Sequence, residues 1–232
     1  MKIKNLTFGS AVKNIAEPHY LKGKIMKKKK EKIVIDKTDA LVVVDMQKDF
    51  LLKTGALYVK GVGEEPSVEE LICKIKKLSK LPFSFVVVSK DMHPGNHIEF
   101  GTLDPYCVFG TEGVCLHRKI EGAFSRNATI YTNKGDYSDV VSLSIASSDQ
   151  FSHQLGYLRE KKVKRIFLTG VAYNFCVGES AIDYARQGFE VYVIRDATRS
   201  VPLPKGNLGS AENMDQKLKA YGVKLISFAD IS

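Results

Sequence analysis

The 232-residue sequence contains no tryptophan and no apolar run long enough to cross a membrane. Its longest aliphatic runs, at 41–44 and 85–88, fall far short of the roughly 20 residues that a membrane helix needs. The N-terminus lacks the apolar segment and small-residue cleavage site of a secretory signal. These absences, with scattered cysteines and no C-x-x-C pair, predict no membrane span, no disulfide framework and a location in the cytoplasm or nucleus. The cysteines are Cys73, Cys107, Cys115 and Cys176.

Positive charge is concentrated at one end of the chain. The whole sequence carries a formal charge of +9, and residues 1–36 contribute +7 of it through ten lysines against three acidic residues. Residues 37–232 are nearly neutral, so they offer no basic stripe for a specific nucleic-acid partner. We therefore divide the chain into a basic N-terminal extension, 1–36, and one globular domain, 37–232. The extension is interpreted as a solvated tail, with contact to an anionic surface or a targeting role as the alternatives.

The domain alternates short β-branched runs with helical patterns, the order typical of an α/β sheet with crossover helices. Most of these runs are apolar throughout, which is typical of parallel strands covered on both faces. The sequence therefore predicts a three-layer α/β/α domain around a mostly parallel sheet of about six strands. The predicted strands are Ala40–Asp45, Phe83–Ser89, Ala128–Thr132, Arg165–Thr169, Glu190–Ile194 and Val223–Ser227.

Helix start and stop signals separate these strands. Ser67 with Glu70 three residues later is a capping box, and Pro82 ends the pattern that follows. The segment 91–127, by contrast, has no strong periodicity, and connections of that length inside compact domains tend to be functional. The other predicted helices are 150–161, one from Cys176 to Gly188, and one from Ser210 to Gly222.

Chemically active side chains follow four consecutive predicted strands. In an open parallel sheet, ligands bind beyond the carboxyl ends of the strands, because loops and helix N-termini converge there. We therefore expect a carboxylate, a carboxylate with an imidazole, an amine and a thiol to share one edge of the sheet. The residues are Asp45, Asp91 with His93, Lys134, and Cys176.

A cysteine at a helix start is more often a small buried apolar residue than a nucleophile. The combination favours a nucleophile, because a helix N-terminus and the Lys134 ammonium would stabilise a thiolate while the Asp45 carboxylate accepts the proton. A charge on Asp45, directly after four buried aliphatic residues, also needs a partner, and Lys134 is available. The sequence therefore favours Cys176 as a reactive thiol.

Carboxylate and imidazole groups are also spaced as metal ligands. Asp91, His93 and His97 offer donors typical of a Zn²⁺, Mn²⁺ or Fe²⁺ site with open positions. The alternative is a turn carboxylate beside a buried, hydrogen-bonded imidazole. The spacing alone leaves both interpretations open.

Five motifs between 39 and 196 carry a resemblance to a known family. In chain order they are Val43–Phe50, Ser89–Phe100, Cys107–Gly113, Lys134–Gly135 and Gly170–Val177. In this order and at these strand ends, the sequence resembles the nicotinamidases of the isochorismatase-like hydrolase superfamily. The resemblance implies the isochorismatase-like hydrolase fold and hydrolysis of nicotinamide to nicotinate and ammonia through a cysteine thioester.

The resemblance also implies a role for each matching residue. Asp45, Lys134 and Cys176 correspond to the catalytic triad. The N–H groups of Ala172 and Cys176 would form the oxyanion hole, and the Val171–Ala172 peptide would be cis. The residues assigned to the substrate pocket are Phe50, Tyr137, Val171 and Ala172.

The resemblance further implies one divalent metal ion, with Zn²⁺ as the first assignment and Mn²⁺ or Fe²⁺ as alternatives. Asp91 and His93 match two of its ligands, but Tyr106 stands where the family usually has a histidine. We assign His97 as the replacement, with a Tyr106 phenolate and His117 as less favoured alternatives. Two further departures concern the pocket: Asn174 stands where an aspartate is common, and no tryptophan can supply the usual indole wall.

Two rival functions are considered beside nicotinamide hydrolysis. One is another amidase of the superfamily, acting on a ureido, carbamoyl or aliphatic amide. Such relatives generally lack the Asp-x-His motif, so Asp91 and His93 favour a heteroaromatic amide. The other is a non-catalytic binding protein that uses the basic extension, but such a protein has no reason to retain a complete triad. The resemblance leaves a homo-oligomer open.

Overall fold

The computed structural model describes residues 31–125 and 128–232, so most of the predicted basic extension lies outside the described residues. The end of that extension joins the domain. Ile33 forms a parallel bridge with Ile231, and the N–H of Ile35 donates to the Ser232 carbonyl at 3.2 Å. Because Ile35 is also buried in the core, the folded domain begins a few residues before the predicted boundary.

Within the described residues, six strands form one sheet in the spatial order β3-β2-β1-β4-β5-β6, and every neighbouring pair is parallel. The strand order reverses between β1 and β4, which makes the carboxyl ends of these two strands the expected ligand crevice. The predicted fold class and all six strands are confirmed; β5 runs five residues beyond its predicted end, and the other strand ends differ by at most two residues. The strands are β1 (Asp39–Val44), β2 (Phe85–Asp91), β3 (Thr129–Lys134), β4 (Arg165–Val171), β5 (Glu190–Arg199) and β6 (Lys224–Ile226).

The helices lie on both faces of the sheet. The predicted capping box is present, since Ser67 accepts from the N–H of Glu70 while the Glu70 carboxylate accepts from the N–H of Ser67. The helix predicted from Cys176 instead begins as a single π turn, Tyr173–Val177, and continues as α4. The helices are α1 (Lys48–Leu51), α2 (Val68–Leu78), α3 (Phe151–Glu160), α4 (Gly178–Arg186) and α5 (Ala211–Ala220).

The central strand β1 is covered on both sides. Its side chains alternate: Leu41 and Val43 lie in the core cluster that contains the apolar face of α2, whereas Ala40, Val42 and Val44 lie with residues of α3, α4 and α5. This alternation gives the predicted three-layer arrangement. Any polar group at the end of β1 is therefore surrounded by protein.

None of the helices within the described ranges has the length and apolar character needed to cross a bilayer.

A glycine brings β4 against β1 beside the expected crevice. Gly170 has a φ of +111°, and a Cβ at this position would lie 2.1 Å from the carbonyl oxygen of Val44. Only glycine adopts this conformation without strain. The backbone of β4 can therefore approach β1 closely only because the side chain is absent.

We expect Gly170→Ala to lower the free energy of unfolding by about 3 kcal/mol, because it adds a steric clash with backbone and a strained φ. The matched control is Gly156→Ala on the exposed face of α3, where no atom lies within 4 Å of the new Cβ. That change should raise stability by up to about 1 kcal/mol, since alanine favours helix. Urea denaturation of both variants measures the difference, and equal stabilities would contradict it.

Candidate active site

Asp45 directly follows β1 and is fully buried. Its backbone turns with a φ of +48°, and the hydroxyl of Ser89 donates to its Oδ1 at 2.7 Å. The second oxygen, Oδ2, lies 3.0 Å from Nζ of Lys134. The carboxylate is thus held in place by a hydroxyl from β2 and an ammonium from β3.

Lys134, the last residue of β3, is also fully buried. Besides Asp45, its Nζ contacts Oδ1 of Asp91 at 2.7 Å, the carbonyl of Ser142 at 3.2 Å and Sγ of Cys176 at 3.5 Å. A buried cation is tolerated when charged and polar partners replace water. One ammonium therefore joins two carboxylates and the thiol.

Cys176 lies in the π turn after β4, and the Val171–Ala172 peptide that precedes this turn is cis, as the resemblance implies. One carboxylate oxygen each from Asp45 and Asp91 lies within 4.8 Å of the thiol sulfur and of the other. The structure thus brings together all three residues predicted as the triad.

Burial and charge act in opposite directions on these groups. Burial raises the pKa of the Cys176 thiol well above its usual value and also raises the pKa of Asp45, while Lys134 opposes both shifts. Although burial alone would lower it, the pKa of Lys134 is held well above its usual range by Asp45 and Asp91. Lys134 therefore stays charged, and Asp45 with Cys176 is the pair between which a proton can move.

A cavity of about 270 Å³ opens beside Cys176, and its wall is mainly apolar. Of the residues predicted for the substrate pocket, Phe50 and Ala172 line it, whereas Val171 is fully buried behind it in the core. The structure does not bring Tyr137 there: its ring is 48% exposed, and its hydroxyl donates to Asp149 at 2.7 Å. In place of an indole, the apolar wall includes Leu57, Leu103, Leu143, Phe175, Val201 and Leu203.

The imidazole of His93 is oriented as a metal ligand. Its Nδ1 lies 3.0 Å from the carbonyl oxygen of Gly135. A carbonyl only accepts, so Nδ1 carries a proton, and Nε2 is the nitrogen left to bind a metal ion. This buried Nε2 has no hydrogen-bond donor among the described residues, and it lies 3.3 Å from Oδ2 of Asp91. An imidazole lone pair facing a carboxylate fits a divalent cation between them.

The three other candidates for the third metal ligand, His97, Tyr106 and His117, differ in their distance from His93 and in their protonation. The ring of His97 is 4.1 Å from that of His93, measured between centroids. Tyr106 lies beside both, but burial raises the pKa of its phenol far above its usual value, so it does not act as a phenolate. His117 lines a different surface cavity, together with Leu52 and Arg199.

The amide side chains of Gln47 and Asn174 shape the site, although the sequence motifs predict no role for them. Gln47 accepts from the N–H of Asp91 at 2.7 Å and donates to its carbonyl at 2.6 Å, so it fixes the backbone at Asp91. Asn174 donates to the carbonyls of Val201 and Gly209 and accepts from the N–H of Val201. An ionised aspartate has no donor for those two carbonyls, which explains why an amide fits this position. Both residues lie within the motifs quoted above. An amide side chain inside an otherwise mostly apolar motif is the sequence signal that could have identified them.

Residues 39–226 match the family model described as the isochorismatase domain, and the chain belongs to the isochorismatase family. A nicotinamidase of Acinetobacter baylyi is 30% identical over 215 residues, covering 83% of this chain and 94% of the relative. A nicotinamidase/pyrazinamidase of Mycobacterium tuberculosis is 28% identical over 170 residues, covering 70% and 87%. The family predicted from the sequence is thereby confirmed.

Two solved structures are similar over nearly their whole length. PnC1 from L. infantum, in complex with nicotinate, has a TM-score of 0.73 at 31% identity, covering 86% of this chain and 98% of that one. A pyrazinamidase of Pyrococcus horikoshii, in complex with zinc, has a TM-score of 0.62 at 27% identity, covering 82% and 99%. These similarities agree with the parallel sheet described above.

We expect Lys134→Met to lower the free energy of unfolding by about 3–5 kcal/mol, because it leaves Asp45 and Asp91 buried without their cation. Lys48→Met is the control, since that lysine pairs with an exposed carboxylate, Glu112, at 2.6 Å, and exposed pairs contribute little. Chemical denaturation followed by circular dichroism compares the two. A loss as small as that of the control would mean that Lys134 is not needed to bury the carboxylates.

Proposed function

We propose that the protein is a nicotinamidase, which hydrolyses nicotinamide to nicotinate and ammonia. The observation that carries the proposal is the contact of Lys134 Nζ with Asp45, Asp91 and Cys176 at the edge of an apolar cavity. The relatives from A. baylyi and M. tuberculosis, and the nicotinate in the L. infantum structure, support the same substrate. A flat heteroaromatic ring suits a small apolar cavity with one reactive edge.

The first half of the reaction forms a thioester. Asp45 takes the proton of the Cys176 thiol, and the thiolate attacks the carboxamide carbon. The N–H groups of Ala172 and Cys176 stabilise the oxyanion of the tetrahedral intermediate. The C–N bond then breaks, and Asp45 returns its proton to the departing ammonia. The acyl group stays on sulfur.

The second half regenerates the thiol. Asp45, again ionised, takes a proton from water, and the resulting hydroxide attacks the thioester carbonyl. The C–S bond breaks, Asp45 returns its proton to the sulfur, and the nicotinic acid released ionises to nicotinate in water. Throughout, Lys134 stabilises whichever of Asp45 and Cys176 is negatively charged, because its Nζ contacts both.

The wall of the cavity orients the pyridine ring of nicotinamide. Phe50 lines the cavity and packs against Tyr106, with ring centroids 5.7 Å apart. The aliphatic side chains of Leu103 and Leu143 also line the cavity. Exclusion of water by these groups strengthens the charge interactions at Lys134.

The proposal includes a divalent metal ion held by Asp91, His93 and His97, with Zn²⁺ as the first assignment. The zinc-bound pyrazinamidase of P. horikoshii and the lone pair of His93 Nε2 support it. When bound, the ion supplies an electron-pair acceptor that fixes the pyridine nitrogen and so positions the carboxamide. Asp91 contacts Lys134 through Oδ1 and faces His93 through Oδ2, so it links the two halves of the site.

Ammonia release from nicotinamide by the purified protein tests this function. We expect Cys176→Ala to lower kcat by at least about 1,000-fold, because the covalent route is lost. Binding of nicotinate, measured by calorimetry, should persist. Cys115→Ala is the control, since Cys115 is exposed and its thiol donates a long hydrogen bond of 4.0 Å to the carbonyl of Thr111, away from the Lys134 cluster.

The wild-type protein should be assayed beside the variants with ureido, carbamoyl and aliphatic amides. Release from one of these amides and none from nicotinamide would replace the proposed substrate. Substantial hydrolysis by Cys176→Ala would reject the thioester and leave Asp45 as a base acting on water.

A further inference from the structure

Glu99 lies beside the proposed metal ligands, although none of the assignments above gives it a role. It belongs to the single helical turn Ile98–Gly101 directly after His97, and it lines the cavity. One ligand atom each from His93, His97 and Glu99 lies within 4.8 Å of the others. A carboxylate with two imidazoles at this spacing resembles a metal-binding group.

The hydrogen bonds of His97 fix which of its nitrogens carries a proton. Nε2 lies 3.1 Å from the carbonyl of Val140, so Nε2 is the donor and Nδ1 presents a lone pair. Nδ1 accepts a long bond of 3.4 Å from the N–H of Glu99, and it lies 3.5 Å from Oε2 of the same residue. Nδ1 and Oε2 of Glu99 thus lie close together, and a cation between them would replace the long Glu99 N–H bond as the partner of the Nδ1 lone pair.

The same arrangement occurs at His93, independently of Glu99. Its Nε2 is buried, lacks a donor within 31–125 and 128–232, and lies 3.3 Å from Oδ2 of Asp91. Bond lengths of about 2.0–2.2 Å in a tetrahedral zinc site place neighbouring ligand atoms about 3.3–3.6 Å apart. Both facing pairs have this separation.

We infer that Glu99 is a protein ligand of the metal ion, together with His93 and His97. Asp91 is grouped with Asp45 and Cys176 in this structure, and it adjoins the imidazoles through its contact with His93. The inference rests on the metal site included in the proposed function. With the Asp91 ligand of that proposal, it gives a site of two carboxylates and two imidazoles. Such a donor set carries one more negative charge than a site in which the second carboxylate is an imidazole, and carboxylate oxygens suit harder cations.

Tyr106 positions Glu99 for this role. Its hydroxyl donates to Oε2 of Glu99 at 3.1 Å, and its ring packs edge-on against His93, with centroids 4.9 Å apart. Tyrosine here stands where the family usually has an imidazole. A phenol that orients a carboxylate therefore takes the place of a direct nitrogen ligand.

Metal binding by the full-length protein tests the inference without relying on turnover. The protein is stripped with a chelator, and Zn²⁺ is titrated in competition with a chromophoric chelator. We expect Glu99→Gln to weaken Zn²⁺ binding by at least about 100-fold, because it removes an anionic ligand and keeps the shape. Glu112→Gln is the matched control, because it removes the same charge from an exposed carboxylate, 84% accessible, and should leave affinity unchanged.

A second variant separates ligation from packing. Tyr106→Phe keeps the ring and removes the hydroxyl, so we expect a loss of about 10-fold in Zn²⁺ affinity. In a Glu99→Ala background the same change should have no further effect, since the hydroxyl then has no carboxylate to orient. The visible spectrum of the Co²⁺-substituted protein should change with Glu99→Gln and stay the same with Glu112→Gln.

The outcomes distinguish the inference from the proposed function. Zn²⁺ affinity and Co²⁺ spectrum unchanged by Glu99→Gln would overturn the inference, even if nicotinamide is hydrolysed. If Glu99→Gln weakens metal binding while the wild-type protein releases no ammonia from nicotinamide, the ligand assignment stands and the substrate is wrong. If Glu99→Gln does not fold, the comparison of Tyr106→Phe with and without Glu99→Ala decides. Additive losses of Zn²⁺ affinity from these two changes would then overturn the inference.

Discussion

The burial of one ammonium, Lys134, is the interaction on which the site depends. Its Nζ contacts carboxylates from two different strand ends and a thiol from the turn after a third. Two carboxylates would not remain ionised together in a dry interior without a cation between them. The parallel sheet supplies this geometry because its carboxyl ends all lie on one side, and the reversal of strand order at β1 and β4 leaves space for a ligand there.

Asp91 joins the catalytic cluster to the proposed metal site. Its two oxygens face different partners, Lys134 and His93, and its backbone is held by both ends of the Gln47 amide. Although burial alone would raise it, the pKa of Asp91 is held below its usual value by the Lys134 ammonium. One ionised carboxylate therefore serves the charge balance of the thiol and the binding of a cation.

The parts of the site that follow regular strands could be predicted from the sequence, and the parts that depend on loops could not. Asp45, Lys134 and Cys176 meet because each lies at or just beyond the carboxyl end of a parallel strand, and the order of strands and helices in the sequence indicates those ends. The resemblance implies a place for Tyr137 in the pocket, but its loop turns the ring outward, where its hydroxyl donates to Asp149. Glu99 received no role, because the segment that positions it has no periodicity and is held by long-range backbone contacts.

Long-range hydrogen bonds to backbone carbonyls hold the irregular segments around the site in place. The carbonyl of Ser138 accepts from the N–H of Ile98, that of Val140 from His97, and that of Ser142 from Lys134. In a helix or strand these carbonyls would accept from other backbone N–H groups. Here they accept from residues in and next to the site, so the carbonyls are hydrogen-bonded although the segment has no regular structure. Because one short segment holds both the imidazole and the catalytic ammonium, a shift of either group moves the backbone that positions the other.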